Sequence, residues 1–273
     1  MNEQAPHQAD LQRLLDLNAA VADHDGAPPF NDQALIEARR GERTMLTTER
    51  GVALVAPAGE AELAVWPNAR GAGGGHKLAK LVAQHFETLG VTAWSVWAHG
   101  DHPAARAIAE RMSMTKTREL LQLRAPVPAD AEVPEEVRPF TDGDAEAWVD
   151  ANSRAFAGHP EQGRLTLGDL ADRRRESWHS DDNLLLHTTG GEIDAFTWLK
   201  PQPDYVELYA VGVVPEAQGR GLGSLMMRAT FGRMRELGAE LAHLYVEGDN
   251  TPALELYRRG GFERWAIDVQ YSV

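Results

Sequence analysis

The chain has 273 residues, enough for one or two domains with buried cores. Its 41 acidic and 27 basic residues leave a formal net charge of −14, which disfavours nucleic acid and anionic membranes as partners. It has no cysteine, which excludes disulfides, thiolate metal sites and cysteine nucleophiles. The start of the sequence carries no basic-then-apolar signal, and no stretch approaches the roughly 18 apolar residues of a membrane span. The expectation is a cytoplasmic protein, a monomer that binds neither nucleic acid nor membrane.

In chain order, Leu11, Leu14, Leu15 and Leu17 mark a helix over 8–22, broken at 23–29, and a second short helix spans 31–39. Strands are predicted at 44–48 and 52–56 around Arg50-Gly51, and again at 62–66. The glycine-rich turn Pro67 to Gly75 leads into a helix over 77–89, which Gly90 ends. A strand over 91–98, a helix over 103–112 and a strand over 115–123 follow. Residues 125–136 are rich in Pro, Ala and acid without periodicity and read as a linker between domains 1–124 and 137–273. Beyond it come a short strand at 137–140, helices at 145–157 and 166–178, and strands at 183–187 and 194–200. The basic run Arg173-Arg174-Arg175 reads as a solvated helix face. The chain closes with the segment 206–224, a helix ending near Gly238, a strand at 240–246, a helix at 252–259 and a strand at 263–273.

Segment 206–224 organises the rest. Val206, Leu208, Ala210 and Val211 suit a buried strand, Pro215 ends it, and Gln218-Gly219-Arg220-Gly221-Leu222-Gly223 opens a helix. Glycines there let backbone approach a ligand closely, and the first helical N–H groups, with the helix dipole, favour an anion such as a pyrophosphate. The segment has an earlier copy. Pro67 and Pro215 stand 148 residues apart, and the same offset pairs Gly73 with Gly221, Gly75 with Gly223, Gly90 with Gly238, Gly100 with Gly248, Asp101 with Asp249 and Ala105 with Ala253. One unbroken register over two loops, two helices and a strand reads as a duplication.

Gln218-x-x-Gly221-x-Gly223 after a strand, followed by Asn250-x-x-Ala253-x-x-x-Tyr257-x-x-x-Gly261-Phe262, resembles the acetyl-CoA-binding core of the GNAT acetyltransferases. Both halves resemble that fold, an α/β fold with a mixed sheet, here as two tandem acyl-CoA N-acyltransferase domains. Trp97 to Arg106, the strand 118–124, the loop His159-Pro160-Glu161-Gln162-Gly163, Trp198-x-Lys200 and Leu244-Tyr245-Val246-Glu247 bring the match close to a tandem branch. That branch acetylates the cysteinyl amine of cysteinyl-glucosaminyl-inositol. The resemblance implies acetyl-CoA as cosubstrate, held by Val211, Gly212, Val213, by Gln218, Gly219, Arg220, Gly221, Leu222, Gly223, Ser224, and by Asn250, Thr251, Pro252, Ala253, Leu254, Glu255. In the first half it implies Leu63, Ala64, Val65 and Gly71, Ala72, Gly73, Gly74, Gly75, His76. It places the amine substrate against Asp32, Glu161, Lys200, Glu207 and Tyr245, which makes the acceptor site an interdomain one.

Acyl transfer from a thioester to an amine needs a polarised carbonyl, a neutral amine and a protonated leaving thiolate. The resemblance gives the first task to the backbone N–H groups of Val211–Val213, against their alternative as ordinary ladder groups. Tyr257, two helical turns past Asn250, is the candidate general acid; the plainer alternative is a packed core tyrosine. Glu207, on the strand before the glycine turn, is the candidate base; the plainer alternative is a solvated carboxylate. At the offset of 148, Tyr257 falls on Ala109, Asn250 on His102 and Glu207 on Gly59. The first half therefore lacks both acid and base and is expected to be non-catalytic. It also lacks a clear first strand, so it reads as trimmed or complemented by the other half. His99-x-x-His102 with Asp101 has metal-ligand types but sits on a strand-to-helix loop and reads as a helix cap; no metal is expected. Two rivals stand beside this reading: a GNAT enzyme for another small amine, such as an aminoglycoside or amino acid, and a non-catalytic acyl-CoA sensor.

Overall fold

The computed structural model describes residues 8–157 and 162–273. The chain divides into two compact units, Met1–Leu120 with Ala266–Val273, and Leu121–Trp265.

In the first unit, α1 (Gln8–Asp25) and α2 (Asp32–Arg40) precede the hairpin β1 (Thr44–Thr48) and β2 (Gly51–Ala56). Then follow β3 (Glu60–Val65), α3 (Gly74–Thr88), β4 (Ser95–His99), α4 (Pro103–Arg111) and β5 (Thr115–Pro126), which continues into the second unit. Val52 and Leu54 of β2 meet Leu14, Leu17 and Ala34 of the first two helices. Ala53 and Val55 point the other way, onto Leu78, Val82 and Phe86 of α3. Burial on both faces explains why β2 reads as an unbroken apolar run.

The second unit holds β6 (Val137–Pro139), α5 (Ala145–Ala155), α6 (Leu167–Arg174), β7 (Leu184–Thr189), β8 (Glu192–Pro201) and β9 (Val206–Val213). It continues with α7 (Leu222–Glu236), β10 (Leu241–Glu247), α8 (Thr251–Arg259) and the start of β11 (Glu263–Ser272). Its strands run in the order β5-β10-β9-β8-β7-β6. Trp148, Leu170, Phe196 and Trp198 form the core on one face, and Leu199, Leu208, Met227, Phe231 and Leu244 on the other. The duplication is literal: α3 and α7, α4 and α8, and β5 and β11 each begin 148 residues apart.

Four expectations differ from the structure. The final strand leaves the second unit: Asp268–Ser272 register antiparallel with Ser95–His99, so Ala266–Val273 complete the first unit's sheet. The expected strand 91–98 is shorter because Val91 donates to the Phe86 carbonyl and closes α3, which leaves β4 to begin at Ser95. The helix expected at 166–178 stops at Arg174, and Trp178 instead stacks beside Trp198 and Tyr209. Arg173 and Arg174 are not a bare solvated face: Arg173 donates to the Tyr209 hydroxyl and Arg174 forks onto Asp181.

The stretch 125–136 is also more than a tether. Ala125 and Pro126 belong to β5, and Ala125 is buried. Further on, the backbone of Glu132 and Val133 lies against Gly232 in the middle of α7, where a Cβ would come within 2.3 Å of it. Gly232→Ala is expected to cost about 1–3 kcal/mol through this overlap with main chain, against a neutral or favourable change at an open helix position. Thermal unfolding measures it; an unchanged melting temperature contradicts the close packing.

Candidate active site

β9 carries the centre of the site. Its partner on one side is β8, in a register that pairs Trp198 with Ala210 and Leu199 with Leu208. Tyr209 is the extra residue, a β-bulge that re-aims the strand end. On the other side, the parallel ladder pairs Val206–Leu208 with Ala242–Leu244 and, among the described residues, goes no further. β9 and β10 therefore part after Leu208, and the β10-facing edge of Val211–Val213 carries backbone groups outside the ladder. Gln218, past the end of β9, donates from Nε2 to the Val213 carbonyl at 3.3 Å.

The turn behind the strand is shaped for an anion. Gly219 and Gly221 both have positive φ, a conformation that side chains rarely tolerate. Gly221 is the N-cap of α7 and supplies no side-chain hydrogen bond, so the first N–H groups of α7 have no cap. Asn250 behaves differently: its Oδ1 accepts from the Ala253 N–H and caps α8. Glu255 pairs with Arg258 and Arg259 on an exposed face, and their guanidinium groups lower its pKa.

Tyr257, on α8, is 6% exposed and belongs to the apolar cluster of Leu208, Met227, Phe231 and Phe262. Burial lifts its pKa to about 12, so the phenol is neutral throughout the working pH range. On the sheet, Glu207 lies in register between Lys200 of β8 and His243 of β10. Residues paired this way share a face. Lys200 sits 5.7 Å from the Trp178 ring, and Tyr245, 42% exposed, lies 4.9 Å from the His243 ring. The structure thus gathers Lys200, Glu207 and Tyr245 on neighbouring strands. Asp32 is the first residue of α2 in the first unit, and its side chain lies outside the described part, as does Glu161.

Sequence reasoning passed over the surroundings of Glu207. His243 is buried, accepts from Arg124 Nε at 3.1 Å, and Arg124 stacks 3.5 Å above the Trp265 ring. The only sequence signal was parity: His243 stands two residues before Tyr245 on one strand.

The first unit repeats the frame, with one correction to the expected register: Ser95, 148 positions before His243, pairs with Glu60, so Glu60 and not Gly59 takes the place of Glu207, because the bulge at Tyr209 adds one residue to β9. Glu60 accepts from Arg43 and from Trp97 Nε1. β3 and β4 pair over Glu60–Glu62 and Ser95–Trp97 and then part beside Leu63, Ala64 and Val65. Gly73 caps α3 without a side-chain bond, as Gly221 does α7. His102 caps α4 through Nδ1, which accepts from the Ala104 N–H at 3.2 Å. Ala109 fills the register of Tyr257. A buried ion cluster supports this unit: His99 lies 3.3 Å from Asp268 and 3.7 Å from Glu62, whose side chain is fully buried. Burial alone would lower the His99 pKa; its contacts with Asp268 and Glu62 reverse that and raise it to about 10. Asn31 donates from its backbone and side chain to Glu62 and caps α2 with its own Oδ1. Among the described residues no group of three His, Cys, Asp or Glu is placed to hold a metal ion.

A strand that parts from its neighbour, a glycine turn and an uncapped helix, all present twice, make the tandem GNAT acyltransferase fold. The profile of the "Acetyltransferase (GNAT) family" matches residues 145–262. Among solved structures, a GCN5-related N-acetyltransferase from Sphaerobacter thermophilus superposes with a TM-score of 0.69 at 22% identity, covering 99% of this chain and 94% of that one. A tandem GNAT protein from the clavulanic acid biosynthesis pathway superposes equally, at 0.69 and 18% identity, covering 98% and 96%. Among curated relatives, the mycothiol acetyltransferase of Clavibacter sepedonicus is 45% identical over 90% of this chain and 86% of its own. That of Kocuria rhizophila is 39% identical over 97% and 96%. The chain belongs to the mycothiol acetyltransferase family of GNAT enzymes. Acetyl-CoA is the cosubstrate that this fold implies.

Proposed function

We propose that the protein transfers acetyl from acetyl-CoA to the cysteinyl amine of cysteinyl-glucosaminyl-inositol, the step that completes mycothiol. The observation that carries the reading is the contrast at one register, a buried Tyr257 in the second unit and Ala109 in the first. The second unit is the catalytic domain, and the first binds acetyl-CoA without turning it over. The open edge of Val211–Val213 holds and polarises the thioester carbonyl, and the turn 218–224 with the start of α8 holds the CoA phosphates and arm. Glu207 takes the amine proton, directly or through water, as the nitrogen attacks. The tetrahedral intermediate collapses with loss of the CoA thiolate, and Tyr257 donates a hydrogen bond to the departing sulfur. The acetyl group passes directly from donor to acceptor in a ternary complex, and with no cysteine in the sequence there is no thiol for a cysteinyl-enzyme intermediate. Lys200 and Tyr245 contact the hydroxylated acceptor. The enzyme works as a cytoplasmic monomer; among the described residues no helix is long and apolar enough to cross a membrane.

The test is initial-rate acetylation of cysteinyl-glucosaminyl-inositol, free cysteine and an aminoglycoside by the purified protein. A kcat/KM at least a hundredfold higher for the first is expected; CoA binding without turnover of any amine overturns the reading.

The base has limited work. An α-amine with a pKa of about 8 is roughly one-tenth neutral at pH 7, a cost of about 1.4 kcal/mol. Glu207→Gln is therefore expected to slow kcat/KM about tenfold at pH 7 and to recover as pH rises past the amine pKa. A pH–rate profile checks this, and a deficit that stays constant up to pH 9 contradicts it.

A further inference from the structure

The first unit contains a cavity of about 370 Å³. Gly73, Gly74 and His76 of the glycine turn line it, and so do Trp94, Ala109 and Met114. The duplication explains why the space exists. At the offset of 148, Ala109 stands where the second unit has Tyr257, and Met114 where it has Phe262. In the second unit those two rings are buried with centroids 5.8 Å apart and fill the core beside the parted strands. In the first unit a methyl group and a flexible thioether replace two aromatic rings. The cavity is therefore continuous with the glycine turn and extends into the volume that the tyrosine and phenylalanine take up in the other copy.

The wall is mostly apolar, with Val96, Ala98 and Ile108 beside the residues already named. Its buried charge is internally matched, because His99 is held between Glu62 and Asp268. The lining also carries His76, His102 and the Asp25–Arg70 pair, which suit the polar part of a CoA thioester rather than its acyl end. An acetyl group would leave the volume beside Ala109 and Met114 unfilled and forgo the contacts that its lining can make. Met114, unbranched and adaptable, suits a chain of variable length.

We propose that this cavity takes the acyl group of a CoA thioester longer than acetyl, an unbranched aliphatic chain such as butyryl or hexanoyl. The proposal rests on the reading above that the first unit's turn holds CoA. No bond is made or broken there; the site reports or stores an acyl-CoA that the catalytic unit does not use.

Calorimetric titration of the full chain with acetyl-, butyryl- and hexanoyl-CoA tests this, with Ala109→Phe and Ala109→Val beside the wild type. Each buried methylene tightens binding roughly fourfold. Two CoA sites per chain are expected, one of which binds butyryl-CoA about tenfold or more tighter than acetyl-CoA. Ala109→Phe is expected to abolish that preference and Ala109→Val to reduce it, with circular dichroism melts confirming that both variants fold. If the phenylalanine variant does not fold, the valine variant decides. Two sites with equal or acetyl-favouring affinities overturn the acyl-length proposal alone, as does a preference that both variants keep. One site per chain for every thioester overturns the reading of the first-unit turn and the proposal together.

Discussion

Tyr257→Phe is expected to lower kcat about a hundredfold while leaving the melting temperature and the KM for acetyl-CoA nearly unchanged. The ring stays, so its packing against Phe262 and the cluster around Leu208 stays with it. Only the donor is lost. The size of the effect follows from the two acidities involved. Burial holds the phenol near 12, whereas an ordinary thiol titrates at about 8.5. Full proton transfer from Tyr257 to the thiolate is uphill by several pH units. In the proposed mechanism the tyrosine therefore acts chiefly by a hydrogen bond to the sulfur as charge develops, which places its contribution at the low end of the 10²–10⁴ range for general acids. The same high pKa means that Tyr257 sets no alkaline limb in the pH–rate profile below about pH 10. Steady-state kinetics of the single variant measures this; a kcat within threefold of wild type removes Tyr257 from the chemistry and returns it to the core.

The second large effect concerns stability. His99→Gln is expected to destabilise the first unit by about 3–5 kcal/mol, because it removes the cation held between the buried Glu62 and Asp268 carboxylates. The wild type carries the matching pH signature. With the folded His99 pKa raised to about 10, the folded chain keeps a proton that the unfolded chain releases above its ordinary value of about 6.5. This contribution is complete below about pH 6.5 and is lost as pH rises through about 10. Urea unfolding at pH 6, 8 and 10 is expected to show a falling midpoint in the wild type and a flatter one in His99→Gln. Adding Asp268→Asn to His99→Gln restores part of the loss if charge is the cause; a double variant no better than the single one contradicts that cause.

The strand–turn–helix of each unit was legible because its signals are local. Glycines at 71, 73, 219 and 221, prolines at 67 and 215, and the apolar stripes of α3 and α7 mark it within a few residues. The offset of 148 even carries the starts of α4, α8, β5 and β11. Features made by distant pairing were not legible. The last strand reads as a strand from composition alone, but nothing local says that Asp268 faces His99, 169 positions away. The His99 cluster was invisible for the same reason, and the sequence offered only the nearby Asp101 and His102 as partners. The bulge at Tyr209 carries no glycine or proline, yet it sets the register beyond Leu208 and the face that each side chain takes. The closeness of 125–136 to α7 did have a signal, the mid-helix Gly232, which costs helix propensity and marks a close approach of backbone.

The proposed function divides the work between two copies of one frame, with chemistry in the second alone. Gly73→Val and Gly221→Val test it most directly, because each puts a β-branched residue at the same positive-φ position of its own turn. Turnover of acetyl-CoA with cysteinyl-glucosaminyl-inositol is measured for both. Gly221→Val is expected to lose transfer, and Gly73→Val to lose far less. Equal losses, or the larger loss in Gly73→Val, contradict that division of work.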